Sequence, residues 1–228
     1  MPASDPLNHR QLRRIVADRL RTMIAQGELR AGEWLRQERI ARELGISFTP
    51  IREALKQLEA EGLVEHVPYR GVRVVTFSID DLLDIYTMRS VLEGLAAASA
   101  AERITDVQLA ELRAIDARMK ALHGPEHLAE VRELNQRFHL LIVDASGRKY
   151  LIRTLKAIWT WFPTMLWSQF LPANSDPPER EHEDNAEHTL ILAALERRDP
   201  EGAARAVRSH IDRARQTLIN YLARTYSG

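Results

Sequence analysis

Asn135, His139, His188 and His210 are the side chains of this 228-residue sequence whose types and spacing best suit a metal ion. Asn135 and His139 stand four residues apart beside the apolar stripe Leu128, Val131, Phe138 and Ile142, so helical geometry puts both on one face. His188 shares a face with Ile191, Leu192 and Leu195, and His210 with Val207, Ile211 and Ala214. Three helices would each send an imidazole inward. A lone histidine in such a place is ordinarily a core residue bonded to a neighbour, because a buried polar group without a partner is costly. Three imidazoles and an amide oxygen make a different set. This N3O group suits zinc, nickel or another first-row divalent ion, and leaves coordination positions for water or a carboxylate.

Arg89 lies on the face of Leu82, Ile85 and Tyr86, with Glu93 one turn further on. A guanidinium there needs a counter-charge, either Glu93 itself or the carboxylate of a small organic acid that Arg89 would grip as a fork. Trp159, Phe162 and Leu166 form an apolar stripe, expected to be core, on a helix bent at Pro163. His9, His66, His123, His127 and His182 carry no pattern that suggests a role.

A second chemistry lies nearer the N-terminus, where Arg52 and Lys56 stand one helical turn apart and point away from the Ile51 and Leu55 stripe. Cations on an outer helical face are often only solvated. Here they follow a compact pattern that gives them a partner. Ile15, Val16, Leu20 and Ile24 mark one helix, stopped at Gly27; Ile40, Ala41 and Leu44 mark a second, stopped at Gly45; Ile51, Ala54, Leu55 and Leu58 mark a third, with Pro50 in its first turn and Gly62 beyond its end. Ser47 or Thr49 would cap that third helix. Strand-like Leu63 to Val67 and Val72 to Val75 flank a Pro68-Tyr69-Arg70-Gly71 turn. Two helices across a tight Gly45-Ile46-Ser47 turn, with a helix before and a hairpin after, make a winged helix-turn-helix. Such a module sets its second helix in the major groove of double-stranded DNA.

Beyond Val75 the strand signals end, and helical patterns break near Arg103 to Thr105, His123 to Pro125, Gly147, Leu171 to Pro178 and Asp199 to Pro200. The expected fold is therefore mainly α, with a winged helix-turn-helix at residues 1–76 and an all-helical bundle at 77–228. The absence of cysteine removes disulfides and thiolate sites, and fits a reducing compartment. Lysine plus arginine equals aspartate plus glutamate, 32 each, so DNA affinity must come from local clustering. Basic residues outnumber acidic ones 13 to 10 up to Val75 and are outnumbered 19 to 22 after it. No apolar run approaches a membrane span or a secretion signal, so a cytoplasmic protein without a membrane partner is expected.

The motifs Leu44-Gly45-Ile46-Ser47, Thr49-Pro50, Arg52-Glu53-Ala54-Leu55 and Glu61-Gly62-Leu63-Val64 resemble the N-terminal domain of GntR-family regulators. The second half resembles the FCD ligand-binding domain of the FadR-type subgroup, through Tyr86-Thr87-Met88-Arg89, Leu92-Glu93, Asn135, Phe138-His139, Ala145-Ser146-Gly147, His188 and His210. The resemblance implies a homodimeric, metabolite-responsive transcription regulator, not an enzyme. It implies operator contacts from Arg39, Ser47, Phe48, Thr49, Arg52, Lys56, Arg70 and Gly71, a metal at Asn135, His139, His188 and His210, and a small carboxylate metabolite at Arg89. Two departures stand out. Phe48 occupies a position where the family usually has an operator-touching arginine, and Glu38 stands where many members have another, with Arg39 beside it. A phenylalanine cannot bond guanine or phosphate but can pack on a thymine methyl or wedge locally, so a different operator core is expected. Asn135 replaces the family's usual aspartate ligand, leaving the site one unit more positive and favouring an anionic effector. The competing readings are an architectural DNA-binding dimer without effector and a metal-dependent hydrolase. The hydrolase would need a positioned base, and no carboxylate stands out beside Asn135 and His139.

Overall fold

The computed structural model describes residues 6–25, 27–165 and 180–226. The chain divides into two compact units, Met1–Ser78 with Thr160–Ala173, and Ile79–Trp159 with Asn174–Gly228. Leu166, the segment Leu171 to Pro178 and the side chains of His9 and His182 lie outside the described residues.

In the first unit α1 (Pro6–Ala25), α2 (Gln37–Leu44) and α3 (Phe48–Ala60) enclose a core with a small sheet. Gly45 takes a left-handed conformation, φ 64°, which ends α2 and lets α3 begin three residues later. Pro50 sits in the first turn of α3, where its missing N–H breaks no helical bond. Pro50, Ile51, Ala54, Leu55 and Leu58 are buried, and the ridge of Phe48, Arg52 and Lys56 is exposed. Arg21 of α1 grips Glu61 beyond the end of α3, its Nη2 2.9 Å from Oε2 and its Nε 3.1 Å from the same oxygen. The pairing fixes the C-terminal end of α3 on α1.

The sheet has three strands in the order β1 (Trp34–Leu35), β3 (Gly71–Val74), β2 (Val64–Val67), all antiparallel. The sequence pattern marks only the hairpin of β2 and β3; two-residue β1 is too short to show a period. Leu35 pairs with Val72, and Val64 with Val74, turning alternate residues into the core. Tyr69 at the hairpin tip is fully exposed with φ 63°, and the Arg70 amide closes the turn on the Val67 carbonyl at 3.0 Å. Two apolar expectations fail: Leu44, at the end of α2, is exposed, and so is Ile15. Ile15 is 55% exposed, because Val16, Ala17, Leu20 and Ile24 already complete the inner face of α1.

The second unit is helical: α4 (Ile79–Arg103), α5 (Asp106–Ala121), a single 3-10 turn (Pro125–His127), α6 (Leu128–Ala145), α7 (Lys149–Met165, in this unit up to Trp159), α8 (Arg180–Glu196) and α9 (Pro200–Tyr226). Thr105 and Gln108 form a reciprocal capping box that starts α5, and left-handed Gly147 separates α6 from α7. Pro163 lies inside α7. Ala96, Ala97, Ala100 and Ala101 are fully buried on α4, so α9 packs closely along it. None of the described helices is long and apolar enough to cross a membrane.

Candidate functional site

Five helices of the second unit bring a cluster of polar side chains into its core. α4 supplies Arg89 and Glu93, α6 His139, α7 Trp159, α8 Glu187 and His188, and α9 His210. All but Glu187 stand among apolar neighbours on the inward face of a helix, so periodicity places them inside. Glu93 is 2% exposed and holds the network together. Its Oε1 accepts from Arg89 Nε at 2.8 Å and from Trp159 Nε1 at 3.1 Å, while Oε2 lies 2.8 Å from His139 Nδ1. Burial opposes ionisation of Glu93, but Arg89 and His139 outweigh it and hold the carboxyl at about 2. On the far side of the cluster Glu187 Oε2 lies 2.7 Å from His210 Nδ1 and Oε1 accepts from Arg213 Nη1 at 2.9 Å. Burial again opposes ionisation, and bonding to His210 and Arg213 pulls the Glu187 carboxyl below its ordinary range.

These carboxylates fix the imidazoles. An ionised carboxylate only accepts, so the Nδ1 atoms of His139 and His210 carry the protons and donate. Burial lowers the pKa of His139 against the pull of Glu93, keeping that ring neutral. Its Nε2 is then a lone pair, and it faces His210 Nε2 at 3.1 Å. A cation placed between the two Nε2 atoms would be ligated by both. His188 completes the group, its ring centroid 4.8 Å from that of His210 and 5.9 Å from that of His139. Ligand-capable atoms of the three histidines lie within 4.8 Å of one another. This donor set fits a divalent transition metal: three buried imidazoles with ligand-capable nitrogens close together, two of them, His139 and His210, held at Nδ1 by carboxylates. Asn135 is half-buried one turn before His139 on α6.

Sequence patterns miss Glu187, although it adjoins His188, and they pair Glu93 with Arg89 alone. Carboxylates do therefore stand beside the histidines, contrary to expectation. Both hold the Nδ1 side of a ring, opposite the converging nitrogens, so neither is placed as a base for a bound water. Arg89 makes the internal pair with Glu93, and its guanidinium also lies 4.0 Å from the Trp159 ring centroid. Trp159 and Phe162 are buried as expected.

In the first unit Ser47, Phe48, Thr49, Arg52, Lys56, Arg70 and Gly71 are exposed. Ser47 takes the N-cap position of α3, yet its hydroxyl makes no capping bond. Arg39 differs from the other cations here: it pairs with Glu33 at 3.1 Å and Glu43 at 3.5 Å, so its charge is largely compensated.

Residues 12–74 match the family described as bacterial regulatory proteins, gntR family, and residues 84–213 match the FCD domain. The chain is 34% identical to a probable D-xylose utilization operon transcriptional repressor from Paenarthrobacter nicotinovorans, over 91% of this chain and 90% of that protein. It is 30% identical to the HTH-type transcriptional regulator McbR of Escherichia coli, over 89% and 90% of the two chains. The solved structure of E. coli McbR/YncC superposes with a TM-score of 0.73 at 26% identity, covering 94% of this chain and 98% of that one. These relatives regulate transcription and are not enzymes. The winged helix-turn-helix, the helical domain behind it and these likenesses make the chain a member of the GntR family of transcription regulators, of the kind that carries an FCD domain.

Proposed function

We propose that this chain is a metabolite-responsive regulator whose helical unit holds a divalent metal and a small carboxylate, and whose winged unit binds operator DNA as one half of a homodimer. The observation that carries the sensing half is the pair of facing Nε2 atoms at 3.1 Å, each on a ring whose Nδ1 is committed to a carboxylate. His139, His188 and His210 would hold the ion, zinc or nickel by donor type, with Asn135 as the oxygen ligand. When bound, such an ion supplies positive charge and coordination positions open to a carboxylate. Glu93 and Glu187 hold the rings in the tautomer that binds metal. Arg89 is balanced by Glu93, so an acid would be drawn by the ion itself, with neutral Asn135 leaving the metal site one unit more positive than an aspartate ligand would.

On the DNA side, α3 would enter the major groove with Thr49, Arg52 and Lys56 on bases and phosphates, while Arg70 and Gly71 at the hairpin reach the adjacent groove and Ser47 and Arg39 add flanking contacts. Helix α4 begins at Ile79, directly after the winged unit, and carries Arg89 and Glu93 on its buried face. Effector binding that favours one placement of α4 would change operator affinity by the difference in its binding free energy between the two states.

Elemental analysis and thermal melts with a panel of small carboxylates test the reading. Bound metal, lost in His188→Ala and His210→Ala with DNA binding retained, supports it. A protein that takes up no added zinc or nickel and is stabilised by no acid would instead be an architectural DNA-binding dimer.

A further inference from the structure

We propose that Phe48 reads thymine: its ring packs on the 5-methyl group of a thymine in the major groove, so that each operator half-site carries a thymine facing the first turn of α3. The proposal rests on the DNA-reading role of the winged unit given above. Phe48 is the first residue of α3 and 54% exposed, so its ring is open to a partner. It cannot serve the core, because the inward positions of α3 are filled by Pro50, Ile51, Ala54, Leu55 and Leu58. It stands instead four residues before Arg52 and eight before Lys56, on the same outer ridge. That ridge is the one a groove-reading helix presents, and residues at its N-terminal end meet base edges.

The chemistry of the groove then selects the base. The hydrogen-bonding groups of guanine, cytosine and adenine dominate their major-groove edges, and thymine alone adds a methyl group. A benzyl side chain against a polar edge would strip water from it and return no hydrogen bond. Against the methyl group it buries apolar surface on both partners. Ser47 and Thr49, exposed on either side, leave hydroxyls for phosphate, so the flanking residues position the helix while Phe48 discriminates.

The test uses the intact protein and duplexes that it selects from a random-sequence library. Each thymine of a selected duplex is replaced in turn by deoxyuridine, which removes the methyl group and leaves pairing intact, and affinity is measured at fixed salt. The expected result is one position per half-site where uracil weakens binding about fourfold, the worth of one buried methyl-sized group. In Phe48→Ala that difference vanishes, whereas Arg52→Ala binds more weakly overall and keeps it. Selected sites indifferent to uracil at every position, or a difference that survives in Phe48→Ala, would overturn the thymine reading alone. Failure to select any duplex would overturn it together with the DNA-binding role.

Discussion

Glu93 and Glu187 each bond the Nδ1 of a histidine, yet they differ in what else depends on them. Glu93 is the counter-charge for Arg89, and both are buried, with side chains 2% and 7% exposed. Removing its charge leaves a guanidinium stranded in the core, so Glu93→Gln is expected to cost about 3–5 kcal/mol of stability, read from denaturant unfolding. Glu187 has as its cationic partner Arg213, whose side chain is 60% exposed and can turn to water. Glu187→Gln should therefore fold nearly as well as the parent. Its loss is to the metal: without the carboxylate the His210 ring loses its fixed tautomer, and zinc or nickel affinity should fall roughly 10–100-fold by calorimetric titration. A Glu187→Gln protein that binds metal as tightly as the parent would remove Glu187 from the site.

Two helix starts separate structural from functional capping. Thr105 accepts the Gln108 amide at 3.2 Å, and the Gln108 side chain takes the Thr105 amide at 2.9 Å, so Thr105→Ala should lower stability by about 1 kcal/mol. Ser47 occupies the same position on α3 without a capping bond. Ser47→Ala should change the melting free energy by less than about 0.5 kcal/mol, yet weaken operator binding roughly threefold if the hydroxyl meets phosphate. Gel-shift titration beside thermal melts would expose the contrast, and equal effects of both substitutions on stability would contradict it. Elements of this length were legible in the sequence because Gly45, Pro50, Gly62 and Gly147 punctuate clear apolar periods. β1 was not, since two residues carry no period. The histidines were legible one helix at a time, by their apolar neighbours. Their carboxylate partners were not, because Glu93 reaches His139 across 46 residues and Glu187 reaches His210 across 23, and no local pattern encodes such pairings.

At the scale of the whole molecule, α4 has a buried polar face and an exposed apolar one. Arg89 and Glu93 lie on the buried one, while Met88, Val91 and Leu95 lie on the other, 45%, 54% and 38% exposed. The spacing of three and four residues makes these apolar side chains a continuous stripe along one helix. If the proposed homodimer forms through this stripe, an antiparallel pairing of the two α4 helices about Val91 and Leu92 is the arrangement to test. That register would bring Met88 opposite Leu95 and Asp80 in the first turn of α4 opposite Arg103 in the last. Like any isologous contact it places each substitution twice, which makes it sensitive to a single charge. Val91→Glu should shift the protein from dimer to monomer in sedimentation, and the exposed position leaves the fold of each monomer intact. Zinc or nickel uptake should persist, because the cluster lies within one chain. Affinity for an operator with two half-sites should fall at least tenfold, while affinity for a single half-site stays the same, since only the linkage between the two reading heads is lost. A Val91→Glu protein that remains dimeric would place the interface elsewhere and leave this face of α4 without a role in assembly.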